Sequence, residues 1–241
     1  RRFLPLFATQ FLGAFNDNAF RYSLVILVTY RITAEASGDP RILVNMAIGL
    51  FIVPFFAFSA LAGQLADKLE KSTLIRWVKG AEVLVMALAA VGFWLSSQGM
   101  MRESVWLLMV VLFLMGTQSA FFGPLKYGIL PDHLREDELI GGNALIEAAT
   151  FLAILLGTLF GGLLVLCEYG IEAVSAALVA IALAGFVASL SIPRAGSAAP
   201  ALSINPNILA ETWRIVGSAA RNSPVFRSIM GISWFWKCSS I

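Results

Sequence analysis

The chain has 241 residues, 59% of them hydrophobic and only 13% charged, with a net charge of +2. A soluble domain carries about 25% charged residues, so this composition, with a mean hydropathy of +0.82, describes a polytopic membrane protein. The basic residues are dispersed and nearly balanced by acidic ones, which excludes a nucleic-acid-binding surface.

The first apolar segment runs from about Phe3 to Tyr30, long enough to cross a bilayer as a helix. It is too long for the apolar part of a signal peptide, about 7–15 residues, and is expected to be a retained helix. Asn16, Asp17, Asn18 and Arg21 interrupt it, and Asp17 falls near its midpoint. A charge at that depth costs from about 2.5 to more than 10 kcal/mol, so such residues face a bundle interior or a wet cavity. Asp17 and Arg21 are four apart and share a helix face, which leaves two readings: an internal ion pair, or a polar path lined by all four residues.

A turn at Gly38-Asp39-Pro40 leads to a second segment, about Ile42 to Ala66, in which Pro54 is expected to introduce a kink. After the charged loop Asp67 to Ser72, a third segment spans about Thr73 to Ser96. The fourth, about Val105 to Leu130, carries Gly123-Pro124 as a break near its end. An acidic loop, Asp132 to Glu138, precedes a fifth segment from Ile140 to Leu166 and a sixth from Ile171 to Ile192, which Pro193 stops. The fold class is therefore all-α, with a six-helix transmembrane bundle over 1–193. Gly157 and Gly161-Gly162 form a small-residue face for helix packing in the fifth segment.

Ala195 to Asn207 is rich in Ala, Ser and Pro and reads as a linker. In Ile208 to Arg221, Glu211, Arg214, Ser218 and Arg221 share one helical face opposite an apolar one. This pattern fits a helix lying on the membrane surface and equally a packed linker helix. Residues 194–224 are thus expected to form a cytoplasmic linker. The seventh apolar segment, 225–241, is interrupted by Lys237 and is too short to span, as expected for the start of a second transmembrane half in a longer protein.

Orientation follows from the basic residues. Arg1, Arg2, Lys68, Lys71, Arg76, Lys79, Arg135, Arg194, Arg214, Arg221 and Arg227 fall on the N-terminal side, against Arg31, Arg41 and Arg102 on the other. This asymmetry places the N-terminus in the cytoplasm. Two further polar pairs stand inside or beside apolar segments. Lys79 and Glu82 read as a local pair at a helix end, with the lysine free to snorkel. Lys126 and Glu147 are placed to bridge the fourth and fifth segments, either to hold the bundle together or to gate it. Cys167 and Cys238 are far apart, and His133 reads as a solvated loop residue. Neither a disulfide framework nor metal-ligand spacing is present, and no nucleotide-binding loop or hydrolase elbow occurs. The expectation is a protein that is not an enzyme and holds no cofactor.

Gly63-Gln64-Leu65-Ala66-Asp67-Lys68-Leu69-Glu70-Lys71 resembles the signature loop of the major facilitator superfamily, Gly-x-x-x-Asp-Arg/Lys-x-Gly-Arg/Lys-Arg/Lys. Gly63, Asp67, Lys68 and Lys71 match. Glu70 stands where the family has glycine and Ser72 where it has a basic residue. Gly63 would allow close helix approach, and Asp67 would sit near a helix N-terminus and basic residues. The resemblance implies a loop that latches two helical halves.

Three further blocks, Gln10 to Asn18, Gly123 to Pro131 and Gly141 to Ala148, together with Gly231-Ile232-Ser233-Trp234-Phe235-Trp236, resemble the bacterial lysophospholipid transporters, a branch of that superfamily. The resemblance implies transport of lysophosphatidylethanolamine and related lysolipids across the bacterial inner membrane for re-acylation, by alternating access between two six-helix halves. It also implies that some members are fused to acyltransferase and acyl-carrier-protein synthetase domains. Asn16, Asp17 and Asn18 would then meet the headgroup amine, Arg21 or Lys126 the phosphate, and Glu147 would bridge or titrate during gating. Two other readings are a drug or metabolite exporter of the same superfamily and a membrane anchor for a fused acyltransferase. An anchor has no use for a charge at the depth of Asp17.

Overall fold

The computed structural model describes residues 2–32, 40–205, 208–222, 224 and 226–228. The turn expected at Gly38-Asp39-Pro40 and the seventh segment with Lys237 and Cys238 lie largely outside the described residues. Two compact units are present, 1–202 and 203–241. The first holds six long helices: α1 (Leu4–Leu27), α2 (Pro40–Lys68), α3 (Lys71–Ser97), α4 (Met101–Gly128), α5 (Leu139–Leu164) and α6 (Gly170–Leu190). In the second unit α7 covers Ile208–Arg221, the amphipathic stretch, with Glu211 paired to Arg214 and Trp213 exposed.

α2 to α6 are long and apolar enough to cross a membrane. α1 has the length, 24 residues, or about 36 Å at 1.5 Å per residue. Its amides and charges keep it below the hydropathy of the other five, and it lies inside the bundle, with Phe20, Leu24 and Leu6 fully buried. The two prolines expected to disturb helices sit inside continuous ones, Pro54 in α2 and Pro124 in α4. The expected break at Gly123-Pro124 does not occur; α4 continues to Gly128. Packed helical neighbours hold such a proline in place even though one backbone bond is lost.

The packing has an internal regularity. α1 packs on α5 and α6, α4 packs on α2 and α3, α3 meets α6, and α1 touches α4. Exchanging α1-α2-α3 for α4-α5-α6 maps this set of contacts onto itself. Such a pattern is expected of two three-helix repeats.

Where α1 crosses α5 the approach is very close. A Cβ on Gly157 would strike the carbonyl of Phe15, and one on Gly161 the carbonyl of Ala19. Ser23 Oγ reinforces the crossing by sharing its one proton between the Ala19 carbonyl at 2.8 Å and the Gly161 carbonyl at 3.0 Å. The small-residue face read in the sequence is thus the seat of α1.

Two apolar clusters make the core. One gathers Phe20, Leu24, Met86, Phe93, Leu108 and Met115; the other gathers Leu6, Ile75, Leu125, Ile129, Ile146 and Ile192. Between these clusters lie the buried polar residues Gln10, Asn16, Asn18, Lys79, Glu82 and Gln118 of α1, α3 and α4, and this layer holds the site. Gly161→Val is expected to force α1 off α5 and cost about 1–3 kcal/mol or more, read as a lowered unfolding temperature in detergent. Gly162→Ala, whose Cβ would meet only Ile26 at 3.5 Å, should leave that temperature nearly unchanged.

Candidate functional site

The polar layer opens into a cavity of about 400 Å³. Its α1 wall follows helical spacing, with Gln10, Gly13, Ala14, Asp17, Asn18 and Arg21 one turn after another along a single face. α2 contributes Phe51 and Phe55, α3 Lys79, and α5 Thr150 and Ile154. α4 supplies Gln118, Ser119, Phe122, Lys126 and Tyr127.

Asp17 and Arg21 do not form the ion pair that their spacing allows. Asp17 Oδ2 accepts a hydrogen bond from Ser119 Oγ at 2.8 Å, while its Oδ1 is buried without a partner. The Arg21 guanidinium instead lies over the Phe51 ring, 4.8 Å from its centroid. A guanidinium stacks favourably on an aromatic face, and this arrangement leaves its N–H donors available along the cavity wall. Asn18 lines the cavity and donates to the Ala14 carbonyl at 2.7 Å.

Asn16 points elsewhere. It is fully buried and its Nδ2 donates to Glu82 Oε1 at 3.4 Å. Glu82 also pairs with Lys79 at 2.5 Å, and both side chains are almost completely enclosed. The expectation of a local pair at a helix end with a snorkelling lysine is therefore corrected. Lys79 and Glu82 lie one turn apart in the middle of the polar layer, and the Lys79 ammonium packs over Phe122, 4.9 Å from the centroid. It also reaches the backbone of α1 at Gly13, where any Cβ would collide with it. Periodicity on α3 alone does not reveal this. The missing signal was the pairing of a small residue, Gly13, with a long buried side chain from another helix.

Lys126 and Glu147 do bridge α4 and α5, at 3.5 Å, and Tyr127 Oη donates to the same Glu147 oxygen. Glu147 remains 43% exposed, so the bridge adds little stability in this unit alone. Lys126 and Tyr127 line the cavity, whereas Glu147 stands behind them.

The signature loop lies at the end of the bundle that carries the N-terminus, and here the structure departs from the motif's expectations. Gly63 meets no atom within 4 Å of a built Cβ, so no helix approaches it among the described residues. Asp67 is exposed and Lys68 half-buried; Asp67 contributes its carbonyl, which accepts from Ala199 N at 2.8 Å. Lys71 pairs with Asp132 at 2.7 Å.

The carboxylate at a helix N-terminus is that of Glu70, not Asp67. Glu70 caps α3, accepting from Ser72 N at 3.1 Å and Thr73 N at 2.9 Å, from both their hydroxyls, and from Ala195 N at 2.8 Å. Arg76 adds a bond to the Ile192 carbonyl at 2.9 Å. The residue that breaks the family pattern thus fastens the segment after α6 to the α2–α3 turn, and residues up to 202 belong to the first unit. Partial burial raises the Glu70 carboxyl, but the bonds from Ser72, Thr73 and Ala195 outweigh it and hold the group down at about 2. His133 is also corrected: it ends a single helical turn, Leu130–His133, with Nε2 buried, and burial pushes its pKa below the ordinary value.

A helical bundle with a charged, aromatic-walled cavity between membrane-length helices defines a multi-pass membrane protein. The profile of the Major Facilitator Superfamily matches residues 6–240, and the chain belongs to that superfamily. The "Lysophospholipid transporter LplT" of Citrobacter koseri is 32% identical over 237 residues, covering 97% of this chain and 54% of the relative. The protein of the same name from Serratia proteamaculans is 27% identical over 237 residues, covering 98% of this chain and 54% of the relative. That of Escherichia coli O1:K1 / APEC is 32% identical over 231 residues, covering 94% and 52% respectively. The chain spans about half the length of these relatives.

Two outcomes are expected. Lys79→Met or Glu82→Gln alone strands a buried charge and should cost about 3–5 kcal/mol, while the double variant should recover most of it; unfolding temperatures of the three proteins compare them directly. Glu70→Gln should lose about 1 kcal/mol of cap at neutral pH. Because the folded pKa lies below the ordinary 4.5, this advantage is present above 4.5 and drains away as pH falls towards 2. Unfolding curves at pH 7 and at successively lower pH measure it.

Proposed function

We propose that this chain is part of a lysophospholipid transporter that moves lysophosphatidylethanolamine and related lysolipids across the bacterial inner membrane by alternating access. The observation that carries the reading is the cavity itself: the Asp17 carboxylate and the Arg21 and Lys126 cations line one space with Phe51, Phe55 and Phe122. A lysolipid asks for that combination, a compact charged headgroup joined to a single apolar chain. The names of the relatives support the same substrate. In this reading Asp17 and Asn18 meet the headgroup amine, and Arg21 or Lys126 holds the phosphate as a cation can at low dielectric. Asn16 acts from behind, through Glu82. Glu147 restrains Lys126 and releases it during gating.

The N-terminus is assigned to the cytoplasm on the distribution of basic residues. Burial withdraws Lys79 from that tally, and the asymmetry stands without it. The second helical half completes the cavity, and the α2–α3 turn with Gly63, Asp67, Lys68 and Lys71 meets it. Re-acylation follows on the cytoplasmic side, by an acyltransferase in the same polypeptide or a separate one. The amphipathic α7 lies with its apolar face on the membrane surface.

The test uses spheroplasts expressing the gene product that contains this chain, given labelled lysophosphatidylethanolamine from outside. Asp17→Asn is expected to reduce uptake at least tenfold with unchanged expression, and Glu147→Gln to slow it several-fold. Full uptake by Asp17→Asn removes the headgroup role, and no uptake by the unmodified protein above an empty-vector control removes the lysolipid reading.

A further inference from the structure

The cavity contains a group that neither the helix pattern nor the signature motifs single out. Gln118 on α4 is 7% exposed and lines the cavity beside Asp17, yet its Oε1 has no hydrogen-bond partner. Its orientation is fixed by its neighbour. The single hydroxyl proton of Ser119 goes to Asp17 Oδ2 at 2.8 Å, so Ser119 Oγ can only accept from Gln118, whose Nε2 lies 3.4 Å away. The amide nitrogen therefore faces Ser119 and the amide oxygen faces away from it. Asp17 presents a second orphan acceptor, Oδ1, from α1.

Two buried acceptors without donors, on facing helices around one cavity, are costly unless a ligand supplies the protons. The relay from Gln118 through Ser119 to Asp17 also polarises each member towards the carboxylate. Arg21 stands four residues along α1 from Asp17, about 6 Å up the axis, and among the described residues its guanidinium contacts a ring face rather than a carboxylate. With the Lys79 ammonium already paired to Glu82, the cavity wall has an acceptor-rich pole at Asp17 and Gln118 and a cationic pole at Arg21, one helical turn apart.

We propose that Gln118 and Ser119, with Asp17, form an ammonium subsite that makes this half of the transporter favour headgroups ending in a primary amine over headgroups ending in hydroxyls. The inference rests on the lysolipid reading above and deepens it. A primary ammonium offers three N–H donors and a positive charge to the Asp17 and Gln118 oxygens, while its two-carbon tether sets the phosphate towards Arg21. A glycerol headgroup offers neutral hydroxyls, which gain less from a carboxylate, so its binding depends chiefly on the cationic pole.

The experiment compares uptake of labelled lysophosphatidylethanolamine and lysophosphatidylglycerol by spheroplasts expressing the gene product that contains this chain, with KM and maximal rate measured separately. Gln118→Leu is expected to raise KM for the ethanolamine lipid about tenfold and to change KM for the glycerol lipid less than twofold. Gln118→Glu, close in shape but anionic, should retain the ethanolamine lipid and weaken the glycerol lipid, whose phosphate leaves it a net anion. Ser119→Ala should follow Gln118→Leu with a smaller shift. An equal loss for both lipids in Gln118→Leu, or an unchanged preference in Gln118→Glu, overturns the subsite while the transport reading stands. If the unmodified protein takes up neither lipid, the transport reading itself falls.

Discussion

Charge removed from water in the middle of an apolar bundle governs this structure. Asp17, Lys79 and Glu82 lie between two hydrophobic clusters, where an unpaired ion is untenable. Lys79 and Glu82 neutralise each other, Asn16 donates to the pair, and Gly13 leaves room for the ammonium against α1. Asp17 is different in kind, since it has only Ser119 and keeps one oxygen bare. The bundle thus spends its internal ion pair on joining α3 to α1 and leaves the aspartate next to a cavity. Closed charges hold the helices, and open ones face the cavity.

Backbone packing makes that arrangement possible. α1 carries amides and charges within an apolar run and lies within the bundle, so its polar turns need neighbours. Gly157 and Gly161 let it sit against α5 at the carbonyls of Phe15 and Ala19, immediately flanking the Asn16 to Asn18 turn. Rotating α1 in this seat would carry Asp17 away from Ser119 and Asn16 away from Glu82. At the other end, Glu70 and Arg76 bind the chain after α6 to the α2–α3 turn. The α2–α3 turn thus carries a helix cap, Glu70, where the superfamily motif has a glycine, and the same carboxylate holds Ala195.

Much of the fold was legible in the sequence because its causes are local. Apolar runs bounded by charged loops place α2 to α6 within a few residues, and the glycine spacing of α5 identifies a packing face. The Lys126–Glu147 bridge follows from two charges facing each other near the ends of consecutive helices. What escaped was tertiary. A lysine and a glutamate three apart look the same whether at a helix end or in a core, and only the groove at Gly13 shows which holds here. The i,i+4 spacing of Asp17 and Arg21 permits an ion pair, but the Phe51 ring captures the guanidinium. Gln118 and Ser119 are unremarkable in an α4 sequence that has almost no apolar moment, and they acquire meaning only opposite Asp17. Gly63 and Asp67 match a motif by spacing alone, and among the described residues no atom approaches the open face of Gly63.

The central claim is that the cavity between α1 and α4 receives a lysolipid headgroup. The most direct measurement is photo-crosslinking of the purified, full-length gene product with lysophosphatidylethanolamine carrying a diazirine next to the phosphate, followed by mapping of the labelled peptides. The account predicts adducts on the α1 stretch from Asp17 to Arg21 and the α4 stretch from Gln118 to Lys126, competed by unlabelled lysolipid. Adducts confined to the outward faces of α5 and α6, and indifferent to competitor, would contradict it.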